Sequence, residues 1–440
     1  MARGVKKYHA KLFKKLSKLL TNCQLIESYS FEKKHFTRNR KLSFQKVSLI
    51  ILQLLRSSVK TELKSFHATV FGEEKVVNWV TDSAFCKARQ KIRHELFIEM
   101  YRLIVRFFYA TNGGYNWYNF RLLAVDGSEL NLPSSKELLK SFGCHHTNSI
   151  GTKIPQARVS FLCDVLNNLT IDAQIESFRV GEQQMFESHL KYLRKGDLLT
   201  ADANYGHFRI LKVILKRKTE FCIRMSKSTN FVKDFLASGK KDAVLEWSPS
   251  VKTIENCKMH KVDTKPIKVR LVRIDLSEVE TEVLAVSLLD QDKYDYHCIK
   301  GLYDKRWAVE EEIKKFMQRL TVEFFSSLKE NGVLQDFYAN VFMLNIVSFL
   351  AEPVREQIHK SSEQCKYKQQ INWTSALGDV RKRLLLLFLR SVDKVDSIIR
   401  SLWKSFKANT EAIKPGRKFP RDKRKKGSRK KAFIQYKPAW

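Results

Sequence analysis

The chain has 440 residues, 43% of them hydrophobic and 11% aromatic, which excludes a disordered polymer and allows two or three domains with real cores. Lys and Arg number 81 against 46 Asp and Glu, a formal charge of +35, so a polyanion, and first of all nucleic acid, is the partner to expect. The eight cysteines stand singly with no CxxC, which excludes a zinc ribbon or thioredoxin motif and fits a reducing compartment.

Residues 1–115 read as a helical N-terminal region. Met1 to Leu20 is basic and amphipathic rather than a secretory signal, and the run SLIILQLL is too short to span a bilayer. A cytoplasmic, nucleoid-associated protein with no membrane partner is therefore expected. Apolar residues recur at three and four in LSFQKVSLIILQLLRSSV and HELFIEMYRLIVRFF. Between them VTDSAFCKARQKI predicts a basic helix capped by Asp82 or Ser83, able to enter a DNA groove or to form a solvated face.

The pattern changes at Phe120. FRLLAVDGSEL predicts a buried strand with polar residues at its tip, and QARVSFLCDVLNNLTIDAQIES two strands joined at Asn167-Asn168. Cys144-His145-His146, three consecutive residues, lacks the spacing of a tetrahedral metal site. GEQQMFESHLKYLRKG predicts a helix closed by Gly196, DLLTADANYG a strand ending in an aspartate, HFRILKVILKRK a helix and TEFCIRMSK a fifth strand. Residues 116–229 thus form the first part of a mixed α/β core. AVLEW, IKVRLVRIDL and TEVLAVSLL predict an all-β insertion over 230–290. Helical rhythm resumes over 291–345, continues through 346–412 and gives way to a basic tail at 413–440. Its stretch KPGRKFPRDKRKKGSRKK holds eleven Lys/Arg against one Asp, and disorder is expected until a polyanion binds.

Three acidic positions stand out by location. Asp126 ends the apolar run RLLAV, Asp202 follows DLLTA, and YDKRWAVEEEIKKFM carries Glu310, Glu311 and Glu312 on one predicted helix. A lone Asp-Gly after a strand is usually a turn, and three glutamates in a row usually form a solvated face. Together, two strand-end aspartates and a helix glutamate supply the oxygen ligands of a site for two divalent cations, which cleaves phosphodiesters in line. Arg306 and Glu310 share a helix face, whereas Glu311 and Glu312 rotate away by about 100° and 200° and are expected at the surface. Val309, Ile313, Phe316 and Leu320 make the apolar stripe that would seat the helix.

These residues carry a resemblance. The chain from about Leu42 to Asn345 resembles the DDE transposases of the insertion-sequence-four (IS4) family, through AVDGSELNLP, IPQARVSFLCDVLN, Gly181-Glu182, GDLLTADANYGHF and YDKRWAVEEEI. That family's signature is Tyr, two residues, Arg, three residues, Glu, six residues, Lys. Tyr303, Arg306 and Glu310 fit it, and Met317 stands where its lysine would fall.

The resemblance implies an RNase H-like catalytic core interrupted by a β-strand insertion and flanked by helical regions. It also implies a cut-and-paste DNA transposase that cleaves insertion-sequence ends and transfers the strand to target DNA. Asp126, Asp202 and Glu310 would be catalytic and would hold Mg²⁺, with Mn²⁺ as a substitute. Tyr303, Arg306, Trp307 and Lys314 would contact DNA, Trp307 by stacking on an unpaired base and Lys314 in place of the missing lysine. Ser128 and Asn204 stand beside the two aspartates. Double-stranded DNA would be bound at terminal inverted repeats and at the target by a homodimer in a paired-end complex. An RNase H-like nuclease without strand transfer and a catalytically impaired DNA-binding derivative are the alternatives.

Overall fold

A computed structural model describes residues 2–54, 57–71, 80–144, 153–277 and 280–414. His145, His146 and the basic tail from 415 onward lie outside the described residues. The chain divides into two compact units, one of Met1–Gly113, Leu130–Ala157 and Lys315–Trp440, the other of Gly114–Glu129 and Arg158–Lys314.

The first unit is helical, and residues 1–113 and 346–412, two regions in the sequence reading, both belong to it. Its centre is the helix Glu330–Ser361, buried on nearly every side from Val333 to Ala351 and mostly apolar there, with Gln335, Asp336, Asn340, Asn345 and Ser348 as buried polar positions. By length and composition that helix could cross a membrane, but 94% of its most apolar stretch is buried inside the protein, so it is a core helix. Arg89 bonds to Gln335, Ser326, Asp336 and the Gly332 carbonyl. The basic helix Asp82–Arg89 thus sends one of its cations into the interior rather than toward a groove, and Thr81 caps it, not Asp82 or Ser83. Gly332 is required where it stands, because a Cβ there would meet Ser327 Oγ at 2.2 Å.

The second unit is built on one sheet of eight strands: β1 (Arg121–Asn131), β2 (Gln156–Asp164), β3 (Leu169–Ser177), β4 (Asp197–Ala201), β5 (Glu220–Arg224), β6 (Asp242–Trp247), β7 (Ile267–Asp275) and β8 (Thr281–Val286). They lie in the order β3-β2-β1-β4-β5-β8-β7-β6. β1 pairs parallel with β4 and β4 with β5, while β5, β8, β7 and β6 pair antiparallel in turn. The half β3-β2-β1-β4-β5 has the strand order expected of an RNase H-like core. Its central strands are buried throughout DLLTA and RLLAV, which is why those runs read as continuously apolar rather than alternating.

Two local devices shape this unit. Asn168 takes the left-handed turn of the β2–β3 hairpin at φ 51°, and Asn167 beside it bonds Asp164 and both backbone groups of Tyr115. At Gly206 a Cβ would come within 2.6 Å of the Arg224 carbonyl, so only glycine lets the turn after Asp202 seat against the end of β5. Segment 230–290 departs from the all-β expectation. Helices Asn230–Ala237 and Val251–Met259 alternate with its strands, and those strands extend the core sheet instead of forming a separate layer.

Candidate active site

The site begins with strand register. On β1 and β4, Arg121 stands opposite Asp197, Leu122 opposite Leu198, Leu123 opposite Leu199 and Ala124 opposite Thr200. The ladder ends there on the β4 side, and two residues further along each chain stand Asp126, still within β1, and Asp202, just past the end of β4. A bidentate ion pair fixes the register from the far end: Arg121 Nε donates to Asp197 Oδ1 at 2.8 Å and Nη2 to Oδ2 at 2.7 Å, both side chains buried. Thr200 Oγ1 donates to the Leu123 carbonyl at 3.1 Å and adds a second cross-strand tie.

Glu310 reaches the same place from the helix Trp307–Lys314. Burial is the main cause that pushes the Asp126 carboxyl up to about 6; the Glu310 and Asp202 carboxylates push the same way, against the Gly127 amide and the Arg306 guanidinium. The three acids and Arg306 therefore share one electrostatic neighbourhood. Each acid commits one oxygen to its own chain. Asp126 Oδ1 accepts from Gly127 N at 2.8 Å, Asp202 Oδ1 from Asn204 N at 2.9 Å, and Glu310 Oε1 from Arg306 Nη2 at 2.9 Å. Three carboxylates in one electrostatic neighbourhood, each with a second oxygen to offer, suit a hard divalent cation. Among the described residues, no three acidic, His or Cys side chains gather closely enough to enclose one ion by themselves.

The other expected residues lie as follows. Arg306 is only 4% exposed, and its guanidinium carbon sits 5.5 Å from the Tyr303 ring centroid and 4.9 Å from that of Trp307. Arg306 Nε and the Tyr303 hydroxyl are buried with no hydrogen-bond partner among the described residues. Burial holds the Tyr303 phenol far above its ordinary range. Trp307 is 49% exposed and presents its ring to solvent. Lys314 is exposed and pairs with Glu311 at 2.5 Å. Glu311 is at the surface as expected, but Glu312 is not: it is 3% exposed, because the face a 200° rotation away from Glu310 is also covered. Val309, Ile313, Phe316 and Leu320 are all buried, as the stripe predicts.

Met317 lies where the helix changes type. The α-helix ends at Lys314 and becomes a π-helical turn over Lys315–Arg319, with the Leu320 amide bonded to the Lys315 carbonyl at 2.9 Å. Rotation per residue falls there, so the even α-helical count that places position 317 on the Glu310 face does not hold.

Two residues at the site were not singled out from the sequence. Arg224 ends β5, and the β4–β5 register that sets Ala201 opposite Ile223 carries Arg224 opposite Asp202. It is half-buried, is held by Glu282 at 2.6 Å and feels the charge of Asp202. Glu182 opens the helix Glu182–His189 and accepts from Asn204 Nδ2 at 3.1 Å. Its position in the Gly181-Glu182 match was the available signal. For Arg224 there was none, since a basic residue after FCI is ordinary in a chain of this charge.

Residues 117–346 match the transposase DDE domain family. The transposase InsG for insertion sequence element IS4 of Escherichia coli (strain K12) is 21% identical over 333 residues, covering 74% of this chain and 72% of that protein. A piggyBac transposase, solved as a synaptic complex with hairpin DNA, superposes with a TM-score of 0.48 at 10% identity, covering 90% of this chain and 80% of that one.

Proposed function

The chain belongs to the DDE-domain transposases of the IS4 type, and from that premise we propose that it is a cut-and-paste enzyme, cleaving insertion-sequence ends in Mg²⁺ (Mn²⁺ as a substitute) and joining them to target DNA. The observation that carries this reading is that Asp126, in β1, and Asp202, just past the end of the parallel neighbour β4, share one electrostatic neighbourhood with Glu310.

In the first step water attacks phosphorus at the element end and the bond to the 3′ oxygen breaks, leaving a 3′-OH and a 5′-phosphate. That hydroxyl then attacks the opposite strand, closing a hairpin and releasing the flanking DNA; a second water opens the hairpin and regenerates the 3′-OH, which attacks target DNA, each step forming one P–O bond and breaking another. Asp126, Asp202 and Glu310 would hold the divalent cations, which when bound would supply Lewis-acid chemistry to the attacking and leaving oxygens. Arg306 balances the carboxylate charge and keeps Glu310 in place, while its Nε and the Tyr303 hydroxyl, buried donors without partners, are suited to a phosphate oxygen. Trp307 offers a ring face to an unpaired base. Lys314 adds a screened surface charge.

Terminal inverted repeats would be read by the N-terminal helical region, with the basic tail adding sequence-independent phosphate contacts and two copies pairing the ends. The test is the joining of a pre-cleaved element end to a plasmid in Mg²⁺. Joined product is expected. Cleavage without joining would reduce the protein to a nuclease, and binding with neither would make it a non-catalytic derivative.

A further inference from the structure

Asn204 is gripped from three sides. Its amide N–H donates to Asp202 Oδ1 at 2.9 Å, its side-chain Nδ2 to Glu182 Oε2 at 3.1 Å, and its carbonyl accepts from Gln183 Nε2 at 3.1 Å. The two gripping side chains open one short helix, Glu182–His189. The far end of that helix is fixed in the core, where buried His189 bonds Asp172 through Nδ1 at 2.8 Å and Ser160 through Nε2 at 2.9 Å. On its other side Glu182 lies over Gly127 in β1, with its Cγ and Cδ 3.6 Å from where a Cβ on Gly127 would stand. One carboxylate thus bonds the residue that holds Asp202 and overlies the residue after Asp126.

Resting on the active-site reading above, we propose that Glu182 is a positioning residue: packed over Gly127 of β1 and bonded to Asn204, it holds the turn after β4 against β1 and so sets the separation of Asp126 and Asp202. Register alone fixes the strands up to Ala124 and Thr200. Beyond them the chain leaves the ladder on the β4 side, where residues 203–205 turn in a 3-10 helix, and a separate restraint is needed there.

The decisive measurement needs no metal and no DNA. In the full chain, amide exchange of the turn 202–206 is read by mass spectrometry for Glu182→Ala, Glu182→Gln, Asn204→Ala and the Glu182→Ala/Asn204→Ala double variant. Either alanine variant is expected to speed exchange about tenfold, the double variant no further, and Glu182→Gln, which keeps an acceptor for Asn204, to stay within about threefold of the parent. Exchange at Leu122–Val125, unchanged throughout, reports an intact sheet. Should Glu182→Ala disturb the sheet, Glu182→Gln and Asn204→Ala still decide. Unchanged exchange in the alanine variants overturns the proposal, and so does a glutamine variant as loose as the alanine one.

With DNA, the Mg²⁺ concentration for half-maximal end cleavage should rise about tenfold in Glu182→Ala and less than about threefold in Glu182→Gln. If the parent itself does not cut, the functional reading falls while the exchange result still decides the role of Glu182.

Discussion

Arg121 and Asp197 face each other across β1 and β4 as a buried bidentate pair, and each precedes its strand's site aspartate by the same number of residues. The pair therefore aligns Asp126 with Asp202 from the opposite end of the strands. Removing one partner leaves a buried charge uncompensated. Either Arg121→Ala or Asp197→Ala should cost about 3–5 kcal/mol by denaturant unfolding. End cleavage should fall more steeply than the folded fraction, since a slipped register separates the aspartates.

Asp126 strains the metal-free protein. Its carboxyl is raised from an ordinary 3.8 to about 6 in the fold, so its contribution to stability is most favourable below pH 3.8 and is lost as pH rises through about 6. Asp126→Asn in EDTA should therefore be more stable than the parent at pH 7.5, by on the order of 1–2 kcal/mol after allowance for partial exposure, and equal to it near pH 3.5. Adding Mg²⁺ should raise the parent's melting temperature more than the variant's. Thermal melts at the two pH values, with and without the ion, check both signs.

Trp307 is the exposed ring of the helix that carries Glu310. Trp307→Ala should fold like the parent, because half of the side chain is already in water. If the ring stacks on an unpaired base, its loss should weaken that step by about 1–3 kcal/mol. Comparing the rates of the first nick and of opposite-strand attack separates the effects: the second should slow and the first should not.

Arg224 lies beside Asp202 at the end of β5, with Glu282 holding its guanidinium. Arg224→Lys keeps the charge but not the fork, and Arg224→Ala loses both. Cleavage should fall in the order parent, lysine, alanine, with the alanine variant down about tenfold or more for one lost charge-assisted contact. Glu282→Gln, expected to lose less, distinguishes the loss of a held geometry from the loss of charge.

The apolar runs before Asp126 and Asp202 were legible because buried parallel strands write continuous apolar runs, but β1 continues to Asn131, so Asp126 lies within its strand and only Asp202 follows a strand end. The hairpin at Asn167-Asn168 was legible for a similar reason, since few residues tolerate its positive φ. Glu310 was chosen over its neighbours by sharing a face with Arg306, and the two are bonded. Other features depend on what covers a surface, which periodicity does not encode. Glu312 and Arg306 are buried although both lie in a run of charged residues. Helices Asn230–Ala237 and Val251–Met259 are each under three turns, too short for an apolar rhythm to show between strands. The π-turn after Lys314, in which Met317 lies, was not legible either, since no run of residue types marks it.

End cleavage in Mg²⁺ by Asp126→Ala, Asp202→Ala and Glu310→Ala, with Glu311→Ala alongside and DNA binding measured in parallel, tests the central claim most directly. Each of the first three should lose about 10³-fold or more in rate, ~4 kcal/mol of barrier, while binding stays within about threefold of the parent and Glu311→Ala cuts normally. Cleavage by Glu310→Ala at the parent's rate, or a loss in Glu311→Ala as deep as in the other three, would contradict it.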